Sequence, residues 1–390
     1  MFAQRLASVA PSATLKAAAE AERLRRAGHK VVDFTAGEPD FPTPEHVKAA
    51  GKAAIDANFT RYTPAAGIPE LREAICSRYK GQYGVDITAA EVLMTAGGKQ
   101  ALFNTIFSLF GPGDQVICPV PYWTTYPELV ELARAKPLFV EGEESRSYKV
   151  TAEELERSYT PEVKGLIINS PSNPSGAVYS LDELRELAEW ATERDVWIIS
   201  DEIYRKIYFP SAVAPGIFDL PEELTQKVVL VDGASKAFAM TGWRIGFTYS
   251  SKVLAEKFAA LQSQTTSNAS APAQYAALAA YQGGEVAHAA VEKMRLAFKA
   301  RRDLLAQLFA EKLPGVRYVS PEGAFYLFFS IERFARPGEG SIAFCERILS
   351  EAGVGLIPGV AFGQDDMARM SFAYSEDTLR AAVERLSKAL

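Results

Sequence analysis

At 390 residues, with 48% hydrophobic and 23% charged side chains, the chain is an ordinary globular protein long enough for two or three domains. Its formal charge of −6 and its lack of a basic segment argue against a nucleic-acid backbone as partner. No apolar run reaches the roughly 18 residues of a membrane span, and the N-terminal residues carry no signal-peptide core, so a cytoplasmic protein is expected. Three scattered cysteines (Cys76, Cys118, Cys345) exclude a disulfide framework and a CxxC site. Three histidines without ligand spacing (His29, His46, His288) argue against a zinc enzyme, and no metal site is expected.

In chain order, a helix is predicted over 14–27, then apolar, β-rich runs at 92–95, 115–118, 137–140, 165–168, 196–200, 227–231 and 244–249. Helical periodicity at 99–110, 181–194 and 252–262 separates several of these runs. Strands alternating with helices imply right-handed βαβ crossovers, and runs apolar on both faces imply a sheet covered on both sides. The prediction is an α/β protein: a three-layer αβα large domain over 45–285 with a mainly parallel seven-stranded sheet. A long helix at 286–313, short strands near 316–319 and 325–330, and helices at 341–352 and 376–390 complete the chain. With residues 1–44 they predict a smaller α+β domain built from both ends, 1–44 and 286–390.

Familiar motifs fail on inspection. Gly97-Gly98-Lys99-Gln100 lacks the Ser/Thr and the first glycine of a P-loop, and Gly233-Ala-Ser235-Lys-Ala237 lacks the last glycine of a nucleophile elbow. What remains is polar residues just after predicted parallel strands, where open α/β sheets bind ligands. Asn173 follows the fourth run, Asp201 and Tyr204 the fifth, and Ser235, Lys236 and Arg244 the sixth. Singly, Asp201 reads as a helix N-cap, Lys236 as a solvated lysine, Asn173-Pro174 as a turn and Tyr204 as a packing residue. Their joint order and spacing point to a site.

With Pro11-Ser-Ala-Thr14, Thr35-Ala-Gly-Glu-Pro-Asp-Phe41, Tyr62-Thr-Pro, Pro121-Tyr-Trp123, Ser200-Asp-Glu-Ile-Tyr204, the Ser-Lys-x-Phe-x-Met-x-Gly-x-Arg run from Ser235 to Arg244, and Ala368-Arg369-Met-Ser371, the chain resembles the class I and II aminotransferases. These are fold type I enzymes dependent on pyridoxal 5′-phosphate, and the resemblance is strongest to the Ib subgroup of bacterial aspartate aminotransferases. It implies that Lys236 forms the imine with the cofactor and shuttles the proton. It implies that Asp201 pairs with the ring nitrogen, that Asn173 and Tyr204 hold the phenolic oxygen, and that Trp123 stacks on the ring. Gly98, Lys99, Ser235 and Arg244 would bind the phosphate, joined by Tyr62 from the neighbouring subunit of a homodimer. Arg369, helped by Asn173 and Gly37, would grip the substrate α-carboxylate, and the small domain would close over it.

Aspartate/2-oxoglutarate transamination is the expected reaction. Relatives of a sister branch hold the distal carboxylate with an arginine after the cofactor lysine, but no arginine lies between Arg244 and Arg295 here. Lys99, with hydroxyls from Ser12 and Thr14, is the expected substitute. A cation at a helix N-terminus opposes the helix dipole, which favours an anionic ligand beside it. The competing expectation is a prephenate or aromatic aminotransferase, which Ala10, where prephenate users carry a basic residue, disfavours. A lyase or decarboxylase on the same cofactor and a regulator lacking catalysis rank lower.

Overall fold

The computed structural model describes residues 13–390, with side chains from Lys16 onward. Seven strands form the main sheet: β1 (Val92–Thr95), β2 (Gln115–Val120), β3 (Lys136–Glu141), β4 (Val163–Asn169), β5 (Trp197–Asp201), β6 (Val228–Gly233) and β7 (Gly246–Tyr249). They lie in the order β1-β7-β6-β5-β4-β2-β3. Pairs among β2 to β6 are parallel, whereas β7 runs antiparallel to both β6 and β1. Separate apolar clusters fill the two faces, one around Leu166, Leu184 and Ile198, the other around Ile106, Val116 and Ile199. Ile198 and Ile199 are consecutive, so their side chains point to opposite faces, and both are buried.

Helix Leu181–Glu193 starts with a capping box between Ser180 and Glu183, as its sequence dictates. Helix Gly98–Leu109 differs: Gly97 (φ 85°) precedes it and no side chain caps its first N–H groups. That uncapped end points into the site.

A second sheet contains β8 (Tyr326–Ser330), β9 (Ile357–Pro358) and β10 (Met367–Ser371), antiparallel in the order β9-β10-β8. Its apolar face packs on helices Gly284–Lys312, Ser341–Ala352 and Glu376–Ala389 through Phe298, Phe309, Phe344, Ile348 and Val383. Val32–Asp33 pairs in parallel with Val354–Gly355, joining the two ends of the chain.

Three expectations need correction. The strand expected at 316–319 is reduced to a single bridge, Tyr318 to Phe329. The seventh strand begins at Gly246 rather than 244, because Arg244 sits in the left-handed region (φ 57°) after a 3-10 turn at Thr241–Trp243. Strand β10, which carries Arg369, was not expected as a strand. No described helix is long and apolar enough to cross a membrane.

Candidate active site

Asn169 and Asp201 end adjacent parallel strands and are paired in register, and Asp201 pairs with Val231 of β6. The segments that follow these strands therefore meet above one edge of the sheet. They border a cavity of about 500 Å³. Gly37, Gly98, Lys99, Trp123, Asn173, Asp201, Tyr204, Ser235, Lys236, Arg244 and Arg369 all line it. Of the other expected residues, Tyr62 stands outside it, 92% exposed. Ser12 and the side chain of Thr14 lie outside the described residues, as does Ala10.

At the acid end, Asp201 is buried and precedes a turn rather than a helix, so it is no N-cap. Its Oδ2 accepts a hydrogen bond from the Tyr126 hydroxyl (2.8 Å), and its Oδ1 accepts one from the Ile203 N–H (3.2 Å). Burial pushes its carboxyl up to about 6, against these two donors. A cation arriving at this carboxylate would restore its ionised form.

Lys236 is carried on the short helix Ala234–Ala237 and donates to the carbonyl oxygen of Gly37. Burial lowers its ammonium to about 8, with Arg369 and Arg244 adding to the effect and Glu38 opposing it. Glu38 in turn accepts a hydrogen bond from the Thr241 hydroxyl (2.7 Å).

The opposite end is built for anions. A Cβ on Gly97 would lie 2.6 Å from the Arg244 guanidinium, and one on Gly246 would lie 2.4 Å from the Gly98 nitrogen. Glycine at both positions lets the guanidinium, the helix start and β7 close up around a small cup. Among the described residues, Arg244 donates only to the carbonyls of Thr241 (3.0 Å) and Ala96 (3.3 Å). Lys99 lies with Nζ 5.1 Å from the Trp123 ring centre, its ammonium lowered by burial and by Arg244.

Arg369 projects from β10 and is 2% exposed. It donates to Asn173 Oδ1 (3.0 Å) and to the Thr35 carbonyl (2.8 Å), while its buried Nε has no partner among the described residues. A guanidinium held from behind keeps donors that suit a carboxylate.

These residues fit pyridoxal phosphate. The cup at Gly97–Gly98 and Arg244 suits a phosphate, Asp201 is a buried acid awaiting a cation, and Lys236 is an amine of lowered basicity beside both. Three residues at the site were not singled out from the sequence: Tyr126, Tyr326 and Glu38. Tyr126 lies three positions after Trp123, and this spacing was a usable signal, since helix Thr125–Leu132 starts there. Tyr326 sits in an aromatic core strand and reads as packing.

Residues 29–386 match the family model for aminotransferase class I and II. Aspartate aminotransferase of Geobacillus stearothermophilus is 42% identical over 389 residues, covering 99% of this chain and 98% of that one. Aspartate/prephenate aminotransferase of Thermus thermophilus is 41% identical, covering 100% and 98%. A solved structure of Thermus thermophilus aspartate aminotransferase with maleate superimposes with a TM-score of 0.94 at 40% identity, covering both chains fully. The sheet edge, the buried lysine and this match over nearly the whole length lead to one conclusion: the chain belongs to the class I and II aminotransferases and is a pyridoxal phosphate-dependent enzyme.

Proposed function

We propose that the enzyme transfers the amino group of L-aspartate to 2-oxoglutarate, giving oxaloacetate and L-glutamate in two alternating half-reactions. The carrying observation is that, besides Lys236, one cavity holds three further cations, Lys99, Arg244 and Arg369, none of them salt-bridged to a carboxylate among the described residues. The cofactor phosphate accounts for Arg244 and the substrate α-carboxylate for Arg369. Lys99 is left for a second carboxylate, as a dicarboxylic substrate requires.

Pyridoxal phosphate supplies the electron sink that makes a Cα–H bond acidic. In this reading Asp201 keeps the ring nitrogen protonated, Tyr204 and Asn173 hydrogen-bond the phenolic oxygen, and Trp123 stacks on the ring. The N–H groups of Gly98 and Lys99, the Ser235 hydroxyl and Arg244 hold the phosphate. The forked guanidinium of Arg369 fixes the α-carboxylate and so aligns the Cα–H bond, and orientation supplies much of the rate. Lys236 would hold the cofactor and, as a neutral amine, would take up the Cα proton and carry it through the transfer. Gly37 contributes its backbone beside the α-carboxylate, and Ser12 and Thr14 add hydroxyls to Lys99 at the second carboxylate.

A homodimer belongs to this proposal, with the partner subunit's Tyr62 completing the phosphate cup. Its support is that Tyr62 is 92% exposed and that Ile55 and Phe59, close to it in the chain, are also exposed apolar residues. The small domain, 1–44 and 286–390, closes over substrate. Its separateness from 45–285 is supported by the second sheet and by an apolar cluster drawn largely from residues 294–390. A cytoplasmic location is supported by the three free cysteines.

The names of several relatives favour a second reading, dual aspartate/prephenate activity. Prephenate also carries two carboxylates, so Lys99 would serve it equally. Half-reaction rates with a panel of amino acids, and with prephenate as acceptor, decide between them. Lys99→Ala should cut rates with aspartate and glutamate at least about tenfold, the scale of one charge-assisted contact, while sparing neutral amino acids. Equal losses on both classes would reassign Lys99 to the phosphate.

A further inference from the structure

We infer that Tyr326 is a positioning residue: its hydroxyl is hydrogen-bonded to that of Tyr204 and so connects the carboxylate-binding arginine, Arg369, to the phenol at the cofactor oxygen. The inference rests on the roles proposed above for Tyr204 and Arg369 and extends them to a residue with no assigned part.

Tyr326 is fully buried on β8, directly across from Ser371 of β10. Its hydroxyl lies 2.8 Å from that of Tyr204, and the two rings meet edge to face. Arg369 lies over the Tyr326 ring, 4.3 Å from its centre. From the other side, a Cβ on Gly37 would stand 3.0 Å from the Tyr326 hydroxyl, so glycine at 37 keeps that hydroxyl in place. Tyr326 is thus held between the carboxylate arginine, the cofactor tyrosine and the backbone that accepts from Lys236.

Either hydroxyl can donate at this distance, and the Arg369 charge over the Tyr326 ring favours Tyr326 as the donor. Burial raises both phenols, Tyr204 well above the ordinary value and Tyr326 less so, with the Arg369 charge as the main opposing influence on Tyr326. The charged and titratable groups around Tyr326 are Arg369 on β10, Tyr204 after β5, and Glu38 on the segment before β1, the last acting against the arginine. With Tyr326 as donor, the proton of Tyr204 stays free for a ligand in the cavity. Filling the carboxylate site neutralises Arg369 and weakens Tyr326 as a donor. Tyr204 then holds the cofactor oxygen less strongly. Occupancy of one site is therefore felt at the other through two stacked side chains. Asn173, which accepts from Arg369, offers a parallel route that bypasses Tyr326.

The test is a pH titration of the visible absorption of the bound cofactor in the holoenzyme, with and without maleate as an unreactive dicarboxylate. The variants are Tyr204→Phe, Tyr326→Phe and the double variant. Tyr204→Phe should move the midpoint upward most. Tyr326→Phe should move it upward by about half a unit, the scale of one modest hydrogen bond. It should also shrink the shift that maleate causes by at least about half, and the double variant should match Tyr204→Phe because the two groups act in series. A Tyr326→Phe enzyme with the wild-type midpoint and maleate shift, beside a Tyr204→Phe enzyme that moves, overturns the link and leaves the proposed site standing. A Tyr204→Phe enzyme that does not move overturns the site reading itself. Gly37→Ala displaces the Tyr326 hydroxyl without deleting it and should move the midpoint in the same direction. It gives a second route to the answer should Tyr326→Phe fold poorly, and an unmoved midpoint there counts against the link.

Discussion

The Lys236 ammonium donates a hydrogen bond to the carbonyl oxygen of Gly37, 199 positions earlier in the chain. The amine proposed to capture the cofactor is thus tied to a segment that borders the cavity. Two consequences can be measured.

Borohydride reduction of the holoenzyme should fix the cofactor on Lys236, which peptide mapping will show. Lys99 also lines the cavity with lowered basicity. A label found on Lys99 would invert the whole assignment.

Cofactor capture by the apoenzyme requires Lys236 as a neutral amine. Its ammonium is lowered to about 8, so the neutral fraction grows as pH rises and saturates above that value. Reconstitution rates followed by absorbance should climb about tenfold between pH 6 and 7 and level off above about 8. A rate still climbing steeply at pH 10 would mean that burial does not lower this amine.

Asp201→Asn keeps an oxygen acceptor for only one of Tyr126 and Ile203, replaces the other oxygen with an NH2 group, and removes the charge. Cofactor should remain bound through the phosphate, while single-turnover transamination falls by at least about a hundredfold, within the range of acid–base contributions. Near-normal turnover would remove Asp201 from its proposed role.

Arg369→Lys retains charge and loses the planar fork. Hydrogen bonds to charged groups contribute roughly 1.5–3 kcal/mol, so kcat/KM should drop about 10- to 100-fold for every amino acid. A loss restricted to acidic substrates would place Arg369 at the side-chain carboxylate instead.

Asp232 lies just before Gly233 and accepts from the Tyr79 hydroxyl (3.0 Å) and the Gly233 N–H (2.6 Å). Burial nevertheless pushes its carboxyl up to about 7. A raised acid favours the folded state while protonated, and that contribution is lost as pH climbs from the unfolded value near 4 through about 7. Asp232→Asn should therefore match the wild-type melting temperature near pH 4 and exceed it by roughly 2 °C at pH 8. Calorimetry that shows the gap closing at high pH contradicts the assignment.

The sequence was most informative where apolar strands end in polar residues. Asn173, Asp201 and Lys236 each follow a run of four or more apolar positions, and a doubly covered sheet has no other place for them. It was least informative where function uses residues that also pack. Tyr126 and Tyr326 are buried aromatics, and their hydroxyls acquire meaning only from Asp201 and Tyr204, distant in the chain. Strand β10, Met-Ala-Arg-Met-Ser, has no β-branched residue and no alternation, since all five of its positions are buried. Its conformation comes from pairing with β8 rather than from local preference.

Strand β1 lies at the margin of the main sheet and leads directly into the cup at Gly97–Gly98, against which Gly246 of β7 is pressed. Margins of sheets are where local opening begins, and a ligand that binds only the closed form holds it closed in proportion to its affinity. The cofactor phosphate is therefore also a clasp on the border of the sheet. When it leaves, the amides of β1 should exchange with solvent faster, and loss of cofactor and loosening of this border become one event seen from two sides.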